Sequence, residues 1–140
     1  MSKTLEELLS DVTASVDQDD FITIALLSLE EIRTLPESFR AIEPLLHLME
    51  SHPEADFGSP GPIVHFAEEF YGKGYEEILV QSIQRKPTGH TLWMLNRIVN
   101  TLQGKQKESY LTLFDQVYQN NTVDLQVRET AKEFLELHEG

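Results

Sequence analysis

His65, Glu68 and Glu69 stand at i, i+3 and i+4, so a helix through them presents an imidazole and two carboxylates on one face. Such a set can ligate a divalent cation or share a proton in acid–base chemistry. A complete zinc site needs three or four ligands, and His47, His52, His90 and His138 offer no matching pair at helical spacing. The trio therefore reads as a partly buried histidine bonded to a neighbouring acid. Nucleophilic catalysis has no footing, because the chain lacks cysteine and no serine sits in a recognisable nucleophile elbow. A phosphate-binding glycine loop is absent too. No residue is assigned to catalysis, a cofactor or a metal, and the chain reads as a non-enzyme.

A second polar group lies where polar residues are out of place. Asn96 and Asn100 share one face of an otherwise apolar helical stretch, in which asparagine has poor propensity. Buried amides need hydrogen-bond partners, so each is expected to bond a backbone group in a neighbouring helix or turn. Arg97 has the fork geometry to pair with Glu68 or Glu69. With His65, these three read as a structural polar clamp. Trp93, in the same stretch, reads as core.

A third set reads as a surface for a protein partner. Glu54, Asp56 and an exposed-looking Phe57 sit in the one long loop, 51–62, where Pro53, Pro60 and Pro62 and two glycines interrupt any regular element. Long loops in compact domains are often functional. Glu68, Glu69, Tyr71 and Tyr75 surround the Gly72-Lys73-Gly74 turn. Tyrosine offers large contact area at low entropic cost. Those seven residues are the candidate contact set.

The elements that must carry these residues are helical throughout. Thr4 and Glu7 have capping-box spacing, and Leu5, Leu8, Leu9, Val12 and Val16 follow at helical intervals, giving a first helix over 4–15. Asp17, Asp19 and Asp20 favour a helix start, so a second runs over 19–34. Its apolar band is wide, which predicts packing between two neighbours. A third spans 37–50, with Pro44 expected to kink or split it. Pro62 suits the first turn of a fourth, which Gly72 and Gly74 end. Helices over 75–86, 90–102 (capped by Thr88), 105–119 and 123–138 complete the chain. No stretch alternates with period two, so the class is all-α. Eight helices with short turns fit a short right-handed HEAT-like α-solenoid or, alternatively, a compact helix bundle.

At 140 residues the chain reads as a single domain with a real core. It carries 24 acids against 11 bases, a net charge of −13. Residues 1–60 hold 13 acids and 3 bases, whereas residues 61–140 hold 11 and 8. A field of that sign repels nucleic acid and anionic lipid and favours a basic partner. The N-terminus lacks a signal-peptide core and no apolar run reaches membrane-span length, so a soluble, cytoplasmic protein is expected.

Two segments bear a family likeness. Gly58-Ser-Pro-Gly-Pro-Ile-Val-His65 with Glu68-Glu69 is followed by Ser82-Ile-Gln-Arg85-Lys-Pro87-Thr88, leading into Trp93-Met-Leu-Asn96-Arg97-Ile-Val-Asn100. Together, over about residues 55–102, this resembles small HEAT-like immunity proteins of bacterial polymorphic-toxin and contact-dependent growth inhibition systems. The resemblance implies a protein that binds a cognate toxin domain and occludes its active site, with no cofactor. Toxin nucleases are commonly basic, and an acidic inhibitor would be steered onto the surface that nucleic acid uses. The competing reading is a HEAT-like adaptor that scaffolds other proteins without a toxin partner.

Overall fold

A computed structural model describes residues 3–139. Among them are eight α-helices and one short 3-10 segment, and no strand. The helices are α1 (Leu5–Ala14), α2 (Phe21–Ile32), α3 (Ile42–Ser51), α4 (Pro62–Glu68), α5 (Tyr75–Arg85), α6 (Gly89–Val99), α7 (Gly104–Gln119) and α8 (Leu125–Glu139). The all-α class expected from the absence of period-two alternation is what the structure shows.

Local chemistry sets most of the boundaries. The Thr4 hydroxyl accepts from the Glu7 amide at 3.2 Å and Glu7 reciprocally accepts from the Thr4 amide at 3.0 Å. Those bonds hold the Glu7 carboxyl below its ordinary range. Thr88 and Thr91 form the equivalent pair at the start of α6. Pro62 opens α4, where no amide partner is needed. Pro44 neither kinks nor splits α3. The chain is instead a 3-10 segment over Ser38–Ala41, and Pro44 then falls in the first turn of α3, where a missing amide costs nothing. Asp20 is the N-cap of α2 but makes no side-chain capping bond.

The chain divides into two compact units, Met1–Ile78 and Leu79–Gly140, with the boundary inside α5. In the first, α2 packs against α1 and α4, and α1 also meets α3. Leu8, Val12, Ala25, Leu29, Ile32, Met49, Val64 and Phe66 are buried there. Phe39, Phe70 and Phe66 meet edge to face at 5.3 and 5.6 Å, and the Arg33 guanidinium lies 5.6 Å from the Phe66 ring centroid. In the second unit α7 and α8 pair, and α6 packs on both. Leu92, Leu95, Ile98, Val99, Phe114 and Ala131 are buried there.

Candidate partner-binding surface

The loop after α3 is a folded plug. Phe57 is only 2 % exposed and meets Phe21 edge to face at 5.7 Å. The expectation of an exposed Phe57 is therefore corrected: burying a phenylalanine gains about 1.5–3 kcal/mol, and the loop turns to allow it. Gly58 and Gly61 make that turn with φ of 102° and 95°. A Cβ on Gly61 would lie 1.7 Å from the Phe57 carbonyl oxygen, so only glycine fits. The Asp56 carboxylate is used inside the loop, where it accepts from the Gly58 amide at 2.9 Å. Of the loop's three candidates, Glu54 and Asp56 are both exposed, and Glu54 stands beside Asp17 and His52 on an open groove.

The acids at the end of α4 are also engaged in contacts within the chain. Glu69 accepts from Arg33 Nε at 2.6 Å. Glu68 accepts from the Tyr71 hydroxyl at 2.9 Å and lies 4.0 Å from His65 Nδ1. His65 has 60 % of its side chain exposed, so it is neither partly buried nor part of an internal clamp. It occupies the outward position of a helix whose Ile63, Val64, Phe66 and Ala67 all point inward. Tyr75 is likewise not a surface residue. It is fully buried, because Gly74, at φ 112°, turns the chain so that its ring packs inward beside Tyr71 at 5.7 Å. Tyr71 remains exposed.

Of the α6 clamp, Asn96 is buried as expected, but its bond to a neighbouring helix is to a side chain rather than to the expected backbone group. Its Oδ1 accepts from His138 Nε2 at 2.6 Å, joining α6 to α8. Burial first, and the charge of Lys107 second, hold the His138 imidazole below its ordinary value. Asn100 is corrected: it is exposed, because α6 ends at Val99 and Asn100 serves as its C-cap. Arg97 is half-buried. Trp93 is half-buried, edge-on to His90 at 5.5 Å. Among the described residues, no cluster of three or more histidines and acids is disposed to hold a metal ion.

The surface that the sequence pattern assigned to the core is on α2. The helix does pack between two neighbours, as its wide apolar band predicts, yet Ile22, Leu26 and Leu27 remain 37, 44 and 57 % exposed. At about 100° per residue they span an arc of roughly 140°. Beside Leu27, α1 and α2 frame an open groove of about 410 Å³, with Leu8, Ala14 and Ile24 in its walls and Asp11 and Glu31 among its lining. Leu125 and Leu137 on α8 are exposed too, but twelve positions apart and on different sides, which is ordinary for isolated surface leucines.

The charge around α2 is one-sided. Residues 3–37 hold nine acids and two bases. Both bases are engaged: Lys3 Nζ lies 2.6 Å from Asp11, and Arg33 Nε lies 2.6 Å from Glu69. Asp11 thereby holds the Lys3 amine above its ordinary range. Glu30 and Glu31 are exposed at one end of the apolar arc, and Asp19 and Asp20 at the other.

No protein-family model, curated protein or solved structure matches the chain.

Proposed function

We propose that this protein is an immunity protein, which binds a cognate toxin domain in the cytoplasm and neutralises it by covering its active site. The observation that carries the reading is the charge of the α1–α2 region, nine acids against two bases that are both in ion pairs. A uniform field of that sign steers a basic protein into contact and repels wrong partners. A basic nuclease fits best, since its cationic cleft is the surface an acidic inhibitor would reach first. The apolar arc on α2 adds what charge alone does not supply, because buried anchors hold complexes that electrostatics assembles.

Tagged protein captured from its native host tests the reading. The expected result is one stoichiometric basic domain from the C-terminus of a large secreted protein, whose activity is lost when the two are mixed one to one. Several ordinary cytosolic partners, none of them toxic, would instead favour an adaptor.

A further inference from the structure

We propose that the outer face of α2 is the docking site, and that its occupant is a basic protein surface presenting apolar side chains among lysines or arginines. This rests on the partner-binding reading above and moves the contact away from the 51–62 loop and the Tyr75 turn. Of the three aromatics those segments were expected to offer, Phe57 and Tyr75 are buried and only Tyr71 is exposed. Ile22, Leu26 and Leu27 fall within six consecutive residues, and Leu27, at one edge of their arc, also lines a groove that can take an apolar side chain.

The rim chooses the occupant. A neutral rim would accept any apolar surface, but acids bracket this one at both ends and the two nearby bases are already paired. Cationic side chains placed around an apolar anchor would meet opposite charge on both sides. A second copy of this chain would bring the same acidic rim against itself, and like charges facing each other oppose association. Nucleic acid and anionic lipid are repelled for the same reason.

The test uses three synthetic helical peptides of about 18 residues, long enough to form several turns. The first has leucine at i, i+3, i+4 and i+7 and lysine elsewhere. In the second, glutamate replaces the lysines. In the third, serine replaces the leucines. Each is titrated into the ¹⁵N-labelled full chain and into a Leu26→Ser/Leu27→Ser variant, whose exposed positions leave the fold intact by circular dichroism. The expected result is binding of the Lys/Leu peptide, with amide shifts centred on residues 22–30. The other two peptides, and the double variant, should bind at least about tenfold more weakly, a loss of 1.4 kcal/mol or more.

Equal binding of the Lys/Ser peptide would overturn the proposal, since charge alone would then suffice. Shifts centred elsewhere, indifference to the double variant, or no binding would also overturn it. So would concentration-dependent broadening of α2 signals without peptide, which would make the occupant a second copy. The immunity reading stands or falls separately. A captured toxin that the double variant holds equally well sinks the α2 site alone, and peptide docking on α2 without any toxin partner sinks the toxin alone.

Discussion

Arg33, just beyond the last turn of α2, donates to Glu69, just beyond the last turn of α4, at 2.6 Å. The guanidinium also covers the Phe66 ring, so one side chain ties the ends of two packed helices by charge and by stacking. Both partners are substantially exposed, at 31 and 48 %, and solvent screens the pair. A double-mutant cycle with Arg33→Ala and Glu69→Ala should therefore give a coupling of about 0.2–1 kcal/mol. Arg33→Ala alone should cost more than Glu69→Ala, because only arginine packs on the ring. Equal single costs in urea unfolding would remove the stacking contribution.

The turn at 57–61 makes the sharpest demand on sequence. Gly61→Ala combines an unfavourable φ with overlap of the Phe57 carbonyl, and should destabilise by more than about 2 kcal/mol. Phe57→Ala should cost about 3–5 kcal/mol, as truncation of a buried aromatic does. Tyr71→Ala, at an exposed ring, should cost well under half of that. Chemical unfolding of the three variants tests the order. If Phe57→Ala changed stability no more than Tyr71→Ala, the loop would not be a plug.

What was legible in the sequence is local. The Thr4–Glu7 and Thr88 caps and Pro62 at a helix start each depend on residues within one turn, so spacing alone reveals them. Gly72 and Gly74 do not end α4, which stops at Glu68; they lie in the turn that leads into α5. What was missed depends on contacts between distant segments. Asn96 finds His138 across 42 positions, and no local pattern names that partner. The band on α2 told correctly of two neighbours but not that their reach would stop short of Ile22, Leu26 and Leu27. Phe57 stands among polar and turn-forming residues and reads as exposed. The usable signal was Gly58 and Gly61, since a turn that tight folds the residue before it back against the chain.

His138 gives stability a dependence on pH with a definite sign. Its imidazole titrates below the ordinary 6.5 in the folded chain, through burial first and Lys107 second. The unfolded chain therefore takes up this proton more readily than the folded one. The stabilisation is complete above pH 6.5 and is lost as the pH falls from 6.5 through the lower folded value. Thermal melts of wild type should decline across that window, and His138→Gln, which keeps an amide to face Asn96, should flatten the decline. Glu7 acts in a separate, more acidic window, because its depressed carboxyl stabilises above 4.5 and ceases to do so only below it. A His138→Gln profile parallel to wild type between pH 7 and 5 would exclude this histidine as the cause.

Salt separates the two parts of the partner contact. The acids around α2 act at a distance, and raising ionic strength from about 0.05 to 0.5 M shortens the screening length from roughly 14 to 4 Å. The association rate with the Lys/Leu peptide, or with a captured basic domain, should fall by about tenfold or more over that range. The dissociation rate should change far less, since apolar contacts at Leu26 and Leu27 are not screened. Leu26→Ser/Leu27→Ser should show the opposite pattern, with faster dissociation and an unaltered salt slope for association. Stopped-flow measurements on both proteins resolve the two rates. An association rate that is flat with salt would show that the acidic excess serves some purpose other than steering, and the charge of the α1–α2 region would no longer support a basic partner.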